Sequence, residues 1–279
     1  MIKLINIELY KIFKKWRSYI GFIAIAVLVP VIEFALQIEG HKSIDFITRD
    51  LQQSFLFVGN LLNTYFVSYL ILNSLTVHIP FLITLVAGDL LAGESTAGTY
   101  RLLLTRPVSR MQIVSSKFIA GLIYSFLLIL LLAVFSLGLG YLLLGTGELI
   151  VFRNGIITVF AKNDILWRFL LAYCSAVLSM SVVASLAFLF SALVENAIGP
   201  IISTMAIIII FLIVSAINVD IFQSIRPYLF TSYMGTWSMF FDKPLDRFEI
   251  VKSTLILLGH IAGLFGLASY IFYKKDILT

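Results

Sequence analysis

The chain predicts an all-α integral membrane protein: six transmembrane helices, preceded by an amphipathic helix lying in the membrane interface. Three observations predict it. Hydrophobic residues make up 60% of the 279 and charged residues only 13%, against roughly 25% charged in a soluble domain. So apolar a chain has too little polar surface to cover itself in water. Its apolar residues come in long uninterrupted runs, unlike the short alternating segments of a membrane barrel. The charged residues gather between those runs, as they must where only the connections meet water.

Met1–Trp16 comes first. Ile2, Ile5, Leu9, Ile12, Phe13 and Trp16 recur at spacings of three and four, so they share one helical face. Lys3, Lys11, Lys14 and Lys15 supply the polar remainder. This pattern predicts a helix lying in the interface; a helix packed on a partner protein is the alternative. Six runs follow that are long enough to cross a hydrocarbon core, which takes roughly 20 helical residues. They are residues 18–38, 64–88, 118–144, 169–194, 197–219 and 253–273. The uncharged run Phe55–Gly88 would span roughly 50 Å as one helix, so its start is expected to project from the bilayer or lie flat on it. No repeat, linker or low-complexity stretch divides the chain, and one transmembrane domain, residues 1–279, is expected.

Basic residues concentrate on the cytoplasmic side of membrane proteins. With six spans both termini share a side. Placing them in the cytoplasm puts Lys3, Lys11, Lys14, Lys15, Arg17 and the cluster Arg101, Arg106, Arg110, Lys117 inside, crowded at the helix ends. The expected location is the plasma (inner) membrane. The outer segments are then 39–63, 145–168 and 220–252. The last carries Tyr233-Met-Gly-Thr-Trp-Ser-Met-Phe-Phe241, too apolar for a solvated loop, and is expected to dip into the outer leaflet as a short helix or re-entrant hairpin.

The formal net charge of +5 follows from that anchoring, and no basic stripe with interleaved aromatics suggests nucleic acid. Cys174 is the one cysteine, so no internal disulfide is possible, and no Cys/His set has metal-ligand spacing. No cleavable signal peptide is expected, because Met1–Arg17 is too polar for an h-region. His41, His78 and His260 are the only histidines and no H-E-x-x-H occurs, which argues against an intramembrane enzyme. Polar residues within or beside the spans are few. Glu33, after Pro30, is expected to snorkel to the headgroups or pair with a neighbour. His78 is expected to satisfy carbonyls near a Pro80 kink, and His260, among Gly259, Ala262, Gly263 and Gly266, to donate between closely packed helices.

The segment 88–117 lies between the second and third spans and is polar and partly basic. Ser95, Thr96 and Gly98 break the long helix, residues 99–105 can form another turn or two, Pro107 resets the chain and Ser109 can cap the next helix. A short helix bracketed by turns suits docking into a groove on another protein, with Glu94, Arg101, Arg106 and Arg110 to orient it. A plain loop anchoring orientation by its arginines is the other reading of the same residues. Glu94, Gly98-Thr99, Leu102–Leu104, Arg106-Pro107 and Ser109-Arg110 follow the order of a glutamate, a Gly-Thr, a leucine pair and an Arg-Pro-x-Ser-Arg. In this the segment resembles the cytoplasmic coupling segment of the ABC-2 type permeases, the membrane subunits of one group of ATP-binding-cassette transporters.

The resemblance implies a short cytoplasmic coupling helix between spans 2 and 3. It implies contact with a separate ABC ATPase subunit through Glu94, Gly98, Thr99, Arg101, Arg106, Pro107, Ser109 and Arg110. A second cytoplasmic contact at Glu195 and Asn196, in the turn between spans 4 and 5, stands beside the reading of that turn as a simple helix–helix connection. No G-x-x-x-x-G-K-[ST] phosphate loop occurs in the sequence, so ATP and Mg²⁺ are expected on the partner and no cofactor or metal on this chain. A homodimer or a heterodimer with a similar permease is implied, in contact with membrane lipid, and export is the direction that analogy suggests. The runner-up is a self-sufficient secondary transporter or channel, which would place charges within the spans or show repeated halves.

Overall fold

The computed structural model describes the backbone of residues 1–52, 61–98, 108–153, 156–217 and 219–275, and their side chains except at 41–52, 75 and 76. Among the described residues six helices are long and apolar enough to cross a membrane. Helix α1 (Ile2–Lys14) precedes them. The spans are built from α2 (Arg17–Gln52), α3 (Thr64–Ala87) continued by α4 (Asp89–Thr96), then α5 (Arg110–Ala133) continued through a π-helical turn (Val134–Leu139) into α6 (Gly140–Leu144). After these come α7 (Leu166–Leu193), α8 (Ile198–Ala216) and α11 (Arg247–Lys274). Both described chain ends lie at one end of the bundle, called the lower end below.

Local chemistry explains where several helices start and stop. Asn63 caps α3 by accepting from the backbone N–H groups of Tyr65 and Phe66. Ser109 and Gln112 form a reciprocal capping box at the start of α5, which satisfies two N–H groups that the first turn leaves orphaned. That box starts the third span at Arg110, eight residues before the expected start at 118. At its far end Gly145 takes a φ of +68°, the left-handed conformation that glycine adopts without steric cost. The first helix departs further from expectation. It runs to Gln52 rather than ending near Ile38, because residues 39–52 hold no proline and only one glycine. Its 36 residues reach about 54 Å at 1.5 Å each, well beyond the hydrocarbon, so its upper part stands outside.

Helix α7 occupies the centre, buried around most of its circumference, whereas α2, α8 and α11 turn most of their apolar surface outward, as lipid-facing helices do. Its neighbours along the bundle include α3, α5, α8 and α11. The stretch 145–168, expected as an outer segment, contains an antiparallel hairpin of β1 (Leu149–Arg153) and β2 (Ile156–Phe160), with Leu149 opposite Phe160. Leu149, Val151 and Phe160 turn inward. The all-α class stands with this one small addition. The signal was in the sequence: Asn154-Gly155 between two β-branched runs is a strong short-range hairpin pattern.

The segment after α8 folds over the upper end through α9 (Asp220–Ile225), two 3₁₀ turns (Arg226–Tyr228 and Phe230–Tyr233) and α10 (Thr236–Met239). The apolar stretch 233–241 is therefore short helix and turn, as one expected alternative had it. Trp237 and Phe241 are buried and pack on Tyr69 with ring centroids 5.5 and 5.2 Å apart. Phe241 meets Phe169 at 4.9 Å and Phe160 at 6.3 Å. Offset and edge-on aromatic contacts of this kind each add about 0.5–1.5 kcal/mol beyond area burial.

Candidate functional site

The lower end brings together residues from four separate parts of the chain. Helix α1 lies across the base of α5. The face it presents is centred on Glu8 and Ile12, both buried, while Ile2 and Trp16 are exposed, each about three-quarters. The apolar face read from the sequence is thus divided. Its middle packs on the bundle and its two ends remain exposed.

Glu8 is buried because it has partners. One of its carboxylate oxygens accepts from Lys11 at 3.0 Å, the other from Lys117 at 2.7 Å. Lys117 in turn donates to Glu94 at 2.9 Å, and Lys11 reaches the same Glu94 oxygen at 2.8 Å. Two carboxylates and two ammonium groups thus alternate in a closed ring. The Lys117 side chain is 2% exposed. Such a charge inside a low-dielectric environment is tolerated only when paired and hydrogen-bonded. Burial pulls the Lys11 ammonium down, but its hydrogen bonds and attractions to Glu94 and Glu8 outweigh that and hold it above the usual lysine value.

A second cluster adjoins the ring. Asp89 opens α4 and is buried; one oxygen accepts from Lys15 at 2.6 Å and the other lies 3.0 Å from Arg17. Gly93 lets that carboxylate lie against α4, since a Cβ there would collide with it. Gly88 permits a close crossing, because its Cβ would stand 3.2 Å from Pro200 at the start of α8. Between α1 and α4 a cavity of about 270 Å³ opens, lined by both charge clusters and by Lys14, Val86 and Leu90.

The turn between α7 and α8 joins the assembly. Ser191 Oγ accepts from the backbone N–H groups of Leu91 and Ala92 at 3.0 and 2.9 Å. Thr96 Oγ1 donates to the Glu195 carbonyl at 2.8 Å. Asn196 Oδ1 accepts from the Gly199 N–H in the first turn of α8 at 2.6 Å. Arg110 donates to the carbonyls of Tyr273 and Lys275 at 2.9 and 3.0 Å, and the Lys275 ammonium stands 4.0 Å from Glu195.

Of the residues singled out from the sequence, Glu94, Gly98, Ser109, Arg110, Glu195 and Asn196 all lie at this end. Gly98 has a φ of +64°, two residues after α4 stops at Thr96. Thr99, Arg101, Arg106 and Pro107, and with them the short helix expected at 99–105, lie outside the described residues. So does the start of the uncharged run at 55–60. The sequence reading did not single out Glu8, Asp89, Lys117 or Ser191 for this site. Lys117 was hidden by its position: one lysine before an apolar run looks like an interfacial anchor, and only the earlier helix start at Arg110 draws it inside. The histidines take local roles. His78 bonds the Ser74 carbonyl, and His260 bonds the Ile256 carbonyl of its own helix and, at 3.3 Å, the Tyr228 carbonyl of the upper cap rather than another span.

Two comparisons with known proteins bear on this arrangement. The uncharacterized protein YhcI of Bacillus subtilis (strain 168) is 28% identical over 205 residues, a stretch covering 69% of this chain and 63% of that protein. The match thus spans less than two thirds of that relative's length. The family model described as ABC-2 family transporter protein matches residues 2–277, nearly the whole sequence. With six candidate spans and that match, the chain is a multi-pass membrane protein of the ABC-2 transporter family, a permease component rather than the ATPase.

Proposed function

We propose that this chain is the membrane-spanning half of an exporter and that its lower end receives movement from a separate ABC ATPase subunit. The lower end then lies in the cytoplasm, with both termini there and the chain, a single transmembrane domain, in the plasma membrane. Two copies, or one copy and a similar permease, form the pathway; ATP and Mg²⁺ bind the partner. Residues 94–110 are the contact, with Glu94, Gly98, Thr99, Arg101, Arg106, Pro107, Ser109 and Arg110 as its surface and Glu195 and Asn196 as a second, smaller contact.

The observation that carries this reading is the ring of Glu8, Lys11, Glu94 and Lys117. Glu94 stands where the second span ends and the proposed contact begins. Through the ring it is tied both to the interfacial helix and to the base of the third span. A displacement of the segment by ATP-driven closure of the partner would therefore pull the interfacial helix and the third span together. Differential ATP affinity for the two arrangements of the spans supplies the driving force.

The test is co-purification of the tagged chain with the product of an adjacent ATPase gene, comparing wild type with Glu94→Ala and Arg106→Ala. Loss of the complex, or of its ATPase stimulation, in the variants supports the reading. A chain that purifies alone, binds no ATPase and moves solute in liposomes would sink it in favour of a self-sufficient transporter.

A further inference from the structure

Glu33 lies in α2, facing the bundle. The sequence reading offered it two fates, snorkelling to the headgroups or pairing with a neighbour, and the structure shows neither. It is 0% exposed. Both carboxylate oxygens lack a hydrogen-bond partner, and no cation makes an ion pair with it among the described residues. An ionised carboxylate stripped of water and left without donor or counter-charge is too costly for a marginally stable fold to hold. The site as built calls for a proton or another positive charge that no described residue supplies.

Its surroundings are closely packed. A Cβ on Gly140 would lie 3.2 Å from Glu33 Oε1 and 3.0 Å from the Thr64 methyl, so the first, second and third spans converge on this point with no room for a side chain. Gly140 follows directly on the π-helical turn Val134–Leu139. Turns of that kind leave the regular ladder of carbonyls interrupted and recur at functional sites. Within the turn, the Ser136 carbonyl accepts from Ser68 of α3 at 2.6 Å, and the Ser136 hydroxyl pairs with Tyr173 of α7 at 2.6 Å. Tyr173 is within electrostatic reach of Glu33. The helix that carries this buried carboxylate therefore packs against a turn whose hydroxyl and carbonyl link three elements. Among the described residues, Tyr173 of α7 is a titratable group that interacts with it electrostatically; α3 contributes Thr64 and the third span contributes Gly140.

We propose that Glu33 is an intramembrane exchange site for a small monovalent cation, a proton or an alkali ion, taken up when the first and third spans are packed as they are here and released when they part. This goes beyond the coupling reading and does not depend on it, since the residues concerned are not part of the lower-end site. Rearrangement of the spans then carries a change of bound charge, and the two packed arrangements differ in their cation dependence.

The experiment uses the full-length chain reconstituted in nanodiscs, treated with dicyclohexylcarbodiimide, which modifies protonated carboxyls in apolar surroundings. Modification at Glu33 is read by peptide mass spectrometry across a pH series, in sodium chloride and in choline chloride at equal ionic strength. A proton site gives modification that is lost as pH rises, the same in both salts. An alkali-ion site gives added protection by sodium at constant pH. Glu33 unmodified at every pH, or modified to an extent indifferent to both pH and sodium, overturns the proposal. Melting temperature gives the second arm: wild type shifts with pH or sodium, and Glu33→Gln, which keeps the shape without the charge, loses that shift. Identical profiles for the two proteins overturn it as well.

Discussion

The two ends of the bundle are held together by different chemistry. The lower end is joined by charge: four side chains in a closed ring, with Asp89, Lys15 and Arg17 beside it. The upper end is joined by rings: Tyr69, Phe160, Phe169, Trp237 and Phe241 pack on one another under the hairpin and α10. Its ion pairs are more exposed: Arg168 and Lys243 share the half-exposed Asp164, at 3.0 and 3.9 Å, and both also lie over the aromatic cluster. Arg168 and Lys243 each stand 4.5 Å from the centre of the Phe160 ring. Aromatic packing depends on shape and has one good arrangement. Ion pairs depend on matched charge and can be exchanged for water or for another partner. On the proposed reading, the upper end is the fixed one and the lower end the movable one.

The largest effect is expected from breaking the ring at its most buried member. Lys117→Ala leaves Glu8 and Glu94 sharing Lys11 alone and should cost about 3–5 kcal/mol, as removal of one partner from a buried pair does. The readout is melting temperature together with ATPase stimulation by the co-expressed partner, and a variant as stable as wild type would show the ring to be incidental. Adding Glu94→Gln in the same chain should recover part of the stability without recovering the stimulation. Recovery of both would deny Glu94 its place in the contact.

At the other end, Trp237→Ala removes a buried ring and should cost about 3–5 kcal/mol through the cavity it leaves. Here stability should fall while the complex with the ATPase still assembles; loss of assembly at matched stability would contradict the division between the two ends. Ser191→Ala is intermediate. It strips the acceptor from two backbone N–H groups of α4 and should lower stability by about 1–3 kcal/mol, read by hydrogen exchange at Leu91 and Ala92. The smallest change is at the partly exposed pair Arg153–Asp242, 3.0 Å apart. Arg153→Ala should cost less than about 1 kcal/mol. Burial raises the Asp242 carboxyl above its ordinary value and Arg153 only partly offsets this, so the pair contributes little. A cost as large as that of Lys117→Ala would erase the contrast between the ends.

Much of the architecture was legible in advance, because lipid imposes a simple rule. Each backbone polar group within the hydrocarbon must be satisfied inside its own helix, so long apolar runs translate directly into spans. The cap at Ser109 and the break after Thr96 were legible for the same local reason: a hydroxyl before a helix, and polar residues with a glycine after one. The hairpin at 149–160 was missed although its Asn154-Gly155 pair was plain, because attention to long apolar runs passes over five-residue strands. The first helix outran its expected end because hydropathy marks where the bilayer stops, while helix termini are set by breakers and caps.

The chain's own order of residues determined that it belongs in a membrane, how many long apolar runs it has, and where a polar segment separates the second run from the third. Those follow from local hydropathy and short-range turn chemistry. Only the tertiary structure decided that Glu8 and Lys117, 109 positions apart, would share a hydrogen bond. It likewise decided that Ser191 would hold the start of α4, and that Glu33 would face inward without a partner. The physical reason is range. Helix formation and lipid exposure are settled by neighbours a few residues away, whereas the fate of a charge depends on what distant segments bring to it, and a carboxylate reads the same in the sequence whether it meets a lysine or nothing.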